Sequence, residues 1–237
     1  MYKSMFLIVT LLLGTLFSSV EDSLPFNADA LPGEPTVAGQ MLEKRIMAQS
    51  LIEHGQAMSS PESILVGVQI LHQNPIVDAR AKPEKQIADA ATAELNDLVE
   101  NAVSMRPDDK ILAALAARIR SELEEKSRGL AGGPKRWTVT IKKGEHYLLD
   151  PRLVYDVQQE AIVSARVVTS AENIQGGDST LGITVARDGS AKALYTRSVA
   201  KKRTQVRWNS GPYKAGWYVK IHHLSGPDEA TIVIETN

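Results

Sequence analysis

The chain of 237 residues contains no cysteine, which excludes a disulfide framework, a thiolate nucleophile and a lipid anchor attached through cysteine. It also lacks a long hydrophobic run. The uncharged stretch Met5–Phe17, preceded by Lys3, falls short of the about 20 apolar residues a spanning helix needs and fits the roughly 7 to 15 of a secretory signal core. No Gly-x-Ser-x-Gly elbow occurs, and none of the five histidines (His54, His72, His146, His222, His223) has HExxH spacing, so no familiar hydrolase or zinc-protease signature is available. The glycine-rich Gly129-Leu130-Ala131-Gly132-Gly133-Pro134-Lys135-Arg136 is not a phosphate loop, because Pro134 separates the last glycine from the lysine and Arg136 stands where Ser or Thr is required.

What is present divides the chain into two unlike halves. Helix-period sequence stops at Gly129–Pro134, and strand alternation begins at Trp137-Thr138-Val139-Thr140-Ile141. We read residues 1–20 as a signal peptide, with cleavage as late as Ala30, residues 21–35 as a disordered spacer rich in Pro, Gly and Asp, 36–129 as a helical domain, 130–135 as a linker and 136–237 as a β-sandwich domain. The fold class is therefore α+β: a four-helix bundle or pair of helical hairpins, followed by an antiparallel, jelly-roll-like sandwich.

Four helices are expected. The first runs from about Val37 to Ala57 with Met41, Leu42, Ile46, Ala48, Leu51 and Ile52 on its apolar side. The second is capped by Ser60-Pro61-Glu62 and stops at Asn74-Pro75. A third spans about Pro83 to Met105, and a fourth follows Asp108-Asp109 and ends at Gly129. In the second half the inward strand positions are Trp137, Val139, Ile141; Val163, Ala165, Val167; Leu181, Ile183, Val185; Val206, Trp208; Trp217, Val219, Ile221; and Ile232, Ile234. Turns are marked by Lys143-Gly144, Gly176-Gly177-Asp178, Asp188-Gly189, Asn209-Ser210-Gly211-Pro212 and Ser225-Gly226-Pro227.

The hairpin Leu181–Gly189 and the ending Val206-Arg207-Trp208, then Tyr213–Ile221 with its Gly-aromatic-Tyr-x-aliphatic-x-aliphatic stretch, resemble the bacterial pre-peptidase C-terminal type of β-sandwich over roughly the last 100 residues. The whole layout resembles a group of exported bacterial proteins with a short helical part before such a sandwich. The resemblance implies compartment and architecture, since these sandwiches often accompany secreted enzymes as accessory modules. It does not imply calcium: Thr180, Gly182 and Arg187 stand where the family frequently has acidic residues. Asp178 and Asp188 remain, short of the six to eight oxygens calcium takes.

Charge is near balance overall but unevenly placed. Residues 21–130 carry 11 Lys plus Arg against 18 Asp plus Glu, and residues 131–237 carry 15 against 10, so the halves are suited to dock on one another or to meet charged partners. The candidate ligand-binding residues are Arg197, Lys201, Lys202, Arg203 and Arg207, five cations within eleven residues, with Tyr195 and Tyr218 as surface aromatics; the alternative reading of the cations is a dock for the acidic helical half. Few aromatics accompany the cluster, so no nucleic-acid partner is expected. His222 and His223 alternate faces of a strand and cannot chelate one metal together, and no metal or cofactor is assigned. The expected function is an exported, non-catalytic binding protein, periplasmic or secreted, with an acidic envelope polymer, polysaccharide or protein as partner and no membrane span after signal cleavage. The alternatives are a hydrolytic enzyme with its site between the halves, signalled by Asp156, Asp178, Asp188 and His223 meeting in one cleft, and a structural envelope component.

Overall fold

The computed structural model describes residues 33–79, 88–124, 133–150, 152–168, 179–187 and 196–237. The signal segment, most of the spacer, the start of the third helix at Pro83, the fourth helix's end at Gly129, the turns at Gly176-Gly177-Asp178 and Asp188-Gly189, and Tyr195 lie outside them. Among the described residues are four helices, α1 (Val37–Ala57), α2 (Pro61–Gln73), α3 (Ala88–Ser104) and α4 (Lys110–Glu124). Ten strands accompany them: β1 (Val77–Asp78), β2 (Lys135–Lys142), β3 (His146–Leu148), β4 (Leu153–Tyr155), β5 (Glu160–Val167), β6 (Thr180–Arg187), β7 (Thr196–Lys201), β8 (Arg203–Asn209), β9 (Ala215–Ser225) and β10 (Glu229–Thr236). None of these helices is long and apolar enough to cross a membrane.

The helix starts follow from local chemistry. Thr36 Oγ1 accepts from the Gly39 amide at 2.9 Å, and Asp109 Oδ1 accepts from the Ile111 and Leu112 amides at 3.0 Å, so each satisfies donors that the first turn leaves open. Ser60 caps differently from expectation: its hydroxyl pairs with Ser63 Oγ at 3.0 Å and makes no side-chain bond to the helix backbone. Pro61 at the first helical position still sets the start.

The helical part is α1/α2 and α3/α4 hairpins rather than a closed four-helix bundle. Its core is built from Ile64, Leu65 and Val68 of α2, Val99 and Ala102 of α3, and Leu112, Ala116, Ile119 and Leu123 of α4. Helix α1 lies outside that cluster, with α2 on one side and a β-sheet on the other. The α1/α2 approach is close at Gly67, where an added Cβ would stand 2.5 Å from Ile52 Cγ1 and 2.8 Å from the Ala48 carbonyl.

The sandwich has two sheets. Sheet I runs β1-β2-β10-β5-β8, and sheet II runs β3-β9-β6-β7 with β4 also pairing β9. Every pairing is antiparallel except β1 with β2. All the inward positions expected from alternation are buried in one core between the sheets, joined by Leu149, Leu153, Tyr155, Ala161 and Ala230. At its centre the Tyr155 ring meets Trp208 edge-on at 5.7 Å, and Trp208 tilts against Trp217 at 5.6 Å. The Tyr155 hydroxyl bonds to Thr236 Oγ1 at 2.7 Å inside this core, and burial raises its pKa far above the ordinary phenol value.

Two segments tie the halves together where the sequence indicates none. The first is β1, two residues between α2 and α3, which adds to the edge of sheet I parallel to β2. The second is Gly33–Pro35, expected to be spacer: the Glu34 amide donates to the Gln158 carbonyl at 2.7 Å, and the Glu34 carbonyl accepts from the Glu160 amide at 2.9 Å. At Gly33 an added Cβ would stand 2.5 Å from the Gln159 carbonyl carbon, so glycine is what lets the segment lie against that backbone.

Candidate functional site

The two outer faces of the sandwich have opposite fates. On sheet I the register places Arg136, Glu235, Ser164 and Gln205 in one row across β2, β10, β5 and β8, and Thr138, Val233, Arg166 and Arg203 in the next. Helix α1 covers these rows. Glu235, on the central strand, is 2% exposed; it accepts from Arg45 Nη2 at 3.2 Å and from Gln49 Nε2 at 2.9 Å, both on α1. Arg45 reaches on to the Asn74 carbonyl at 2.7 Å, beyond the end of α2. One guanidinium thus fastens α1 to the sheet and to its partner helix.

Burial alone would raise the Glu235 carboxyl, but Arg45, Arg166 and Arg136, with the Gln49 amide, overcome it and hold the group below the ordinary carboxylate range. Burial pulls the Arg166 guanidinium below its ordinary value while Glu235 opposes the shift. Around this centre lie pairs nearer to solvent: Arg203 with Glu53 at 2.7 Å, Arg136 with Glu94 of α3 at 3.1 Å, and Arg207 with Glu43 and with Glu160, the latter at 3.4 Å. The acidic helical half docks on a basic sheet face, and the charges meet pairwise.

This docking divides the candidate ligand-binding cluster. β7 belongs to sheet II and β8 to sheet I, and Lys202, with φ of 61°, is the one residue between them. The chain changes sheets there, so the outward sides of the two strands face opposite ways. Arg203 and Arg207 of β8 pair with α1 carboxylates. Lys201 ends β7 on sheet II and is exposed, as is Lys202, while Arg197 sits opposite Thr184 in the β6/β7 register. Five cations close in sequence are not one patch in space.

Sheet II presents the other face, and α1 is not on it. The strands β3, β4, β6, β7 and β9 contain no Asp or Glu, whereas they carry Arg187, Arg197, Lys201 and Lys220. Glu145 and Asp150 stand outside the ends of β3. Leu148, Val154 and Val199 are 40%, 58% and 44% exposed. Tyr218, a candidate residue, is half-buried on this face with the Arg152 guanidinium 4.4 Å over its ring centre. Beside them His146 and His222 are direct partners across β3 and β9, with ring centres 5.4 Å apart, and Thr184 Oγ1 lies 3.2 Å from His222 Nε2.

The enzyme reading required carboxylates and His223 in one cleft. Asp178 and Asp188 lie outside the described residues; Asp156 is exposed and pairs with Lys214 at 3.0 Å. It follows β4 beside the start of β9, whereas His223 is near that strand's far end, buried between the sheets with Nδ1 3.1 Å from the Ile141 carbonyl. An N–H there donates to the carbonyl and holds the β9–β2 seam. His72 sits in the last turn of α2. Among the described residues no three His, Cys, Asp or Glu side chains gather in a metal-holding group.

Sequence reasoning missed Arg45, Gln49, Glu235 and Arg166, because polar residues on an apolar helix or a strand read as solvent-facing. A signal did exist. Glu235 follows Ile232-Val233-Ile234, a run apolar on both faces, and such a run marks a strand covered on both sides.

No family model matches the chain, and no curated protein does. Among solved structures, the Yersinia pseudotuberculosis-derived mitogen aligns with a TM-score of 0.32 at 10% identity, covering 44% of this chain and 85% of the mitogen. Bacillus endospore appendages, a family of disulfide-linked pili, align with a TM-score of 0.24 at 10% identity, covering 47% of this chain and 95% of theirs.

Proposed function

We propose that the protein is an exported, non-catalytic binding protein of the cell envelope, periplasmic or secreted, whose sheet II face holds an acidic polymer. The observation that carries this reading is the composition of that face: five strands without a single carboxylate, carrying Lys201 and Lys220 outward beside the Arg152–Tyr218 stack. A face of one charge sign attracts polyanions and raises their encounter rate. The aromatic–guanidinium stack suits a sugar ring bearing acid groups. Because α1 neutralises Arg203 and Arg207 on the opposite face, the polymer is directed to sheet II.

Retention on an immobilised acidic polysaccharide, read as the salt concentration needed for elution, tests this. The Lys201→Glu/Lys220→Glu variant elutes at distinctly lower salt than wild type. The Lys44→Glu/Lys110→Glu variant, with the same charge change on exposed residues of the helical half, behaves as wild type. Equal loss in both variants would reduce the effect to net charge and overturn the proposal.

A further inference from the structure

Charge pairing beneath α1 has one exception. Arg166 of β5 lies directly opposite Arg203 of β8, so two guanidinium groups stand side by side on the outer face of sheet I. Like charges so placed repel one another unless each finds an anion. Arg203 has its acceptors on α1, with Glu53 at 2.7 Å, Ser50 Oγ at 2.8 Å and Gln49 Oε1 at 3.4 Å. Arg166 forms no side-chain hydrogen bond or ion pair among the described residues, and its Nε is enclosed without an acceptor. The charges that act on it are Glu235, Arg136, Glu94 and Arg203. Both of those carboxylates are already engaged. Glu235 accepts from Arg45 through one oxygen and from Gln49 through the other, and Glu94 accepts from Arg136.

We propose that Arg166 anchors a binding site, in the seam between α1 and sheet I, for one small tetrahedral oxyanion of the phosphate or sulfate class. The first support is a surplus of donors. The Nε atoms of Arg45, Arg136, Arg166 and Arg203 are all enclosed without acceptors, so this seam holds more N–H groups than its own carboxylates and carbonyls satisfy. The second is access. Arg166 is half-buried, and of its three side-chain nitrogens only Nε is wholly enclosed, so Nη1 and Nη2 are the end that solvent reaches. An oxyanion meeting that end accepts two parallel N–H···O bonds from the planar fork, and the neighbouring arginines add to the attraction. An ion held there rests on β5 beside α1, which packs on β5 and β10, so its binding strengthens the docking of the halves. The site lies on the face opposite sheet II and does not depend on a polymer bound there.

Calorimetric titration of the full chain with sodium phosphate, at an ionic strength held constant with NaCl, tests the assignment, and sodium sulfate serves as competitor. One phosphate binds per chain, saturably, and sulfate displaces it. Arg166→Gln weakens binding by at least about tenfold, the size of a lost charge-assisted contact. Arg166→Lys, which keeps the charge and loses the fork, weakens it less. Lys44→Gln, the same charge change on the exposed side of α1, leaves affinity unchanged. Phosphate also raises the melting temperature of wild type more than that of Arg166→Gln; stabilisation by exclusion of the salt from the surface is common to both and cancels in the difference. Far-ultraviolet circular dichroism establishes that each variant is folded, and Arg166→Lys keeps the test decisive if Arg166→Gln does not fold. The proposal is overturned if wild type shows no saturable binding, if the folded Arg166 variants bind as wild type does, or if Lys44→Gln loses as much as they do. Retention of Arg166→Gln on the acidic polysaccharide is that of wild type, so this site and the sheet II face fail or stand separately.

Discussion

The outer face of sheet I and the outer face of sheet II are built from the same alternation, yet one carries α1 and the other, among the described residues, carries no helix. The covered face holds aliphatics flush with the helix, Ile162 and Val233, and a carboxylate surrounded by guanidinium groups. The open face intersperses exposed aliphatics with cations and histidines and has no carboxylate on its strands. Charge on a sheet face is thus organised differently according to what meets it. Where the contact is internal, both signs are present and matched; where, among the described residues, no helix meets the face, its strands carry cations alone.

The sharpest way to break this contrast is to remove the centre of the covered face. Glu235→Ala strands the Arg45 and Arg166 guanidinium groups under α1 and costs about 3–5 kcal/mol, read as a fall in the urea midpoint. The double change Arg45→Met/Glu235→Leu recovers the part of that loss due to the stranded Arg45, since a packed apolar pair avoids the desolvation of two ions, and leaves the part due to Arg166. If the double variant is no better than the single, the ion pair is not the source of the effect. Truncation of an apolar contact compares the faces directly: Ile162→Ala costs about 2–5 kcal/mol, whereas Val199→Ala on sheet II stays within about 0.5 kcal/mol. Equal costs would mean that sheet II is also covered.

Acid provides a graded version of the same test. The carboxyl of Glu235 is held below its ordinary value in the fold, so its contribution is complete above the unfolded value of about 4.3 and is lost as pH falls from there through the lower folded value. Stability against pH between 7 and 3 therefore falls more steeply in the wild type than in Glu235→Gln; parallel curves would remove this carboxylate from the account. The smallest effects belong to the rim. Arg207→Ala, whose partners Glu43 and Glu160 lie nearer to solvent, changes stability by about 0–1 kcal/mol, and less in high salt.

How much of this was legible in the sequence follows from how many neighbours an element has. The core between the sheets was readable, because alternation reports burial on one face, and every expected inward residue from Trp137 to Ile234 is buried. Helices α1 and α2 were readable to the residue, because Thr36, Pro61 and the Asn74-Pro75 stop act locally. The docking of the halves was visible only as a charge imbalance, since which arginine meets which glutamate depends on register between elements nearly 200 residues apart in sequence. β1 could not be read: two residues between helices carry no period. The five-cation cluster was misleading for a definite reason. Proximity along a chain implies a common surface only if the chain stays on one face, and at Lys202 it passes from one sheet to the other.

The place of β10 has a consequence for how the molecule is made. It is the last strand in chain order and the middle strand of sheet I, and it supplies the carboxylate that α1 grips from 190 residues away. During synthesis α1 therefore has no seat until nearly the whole chain has emerged, and until then Arg45 and Gln49 remain in water. A chain whose α1 must wait for its last strand closes slowly.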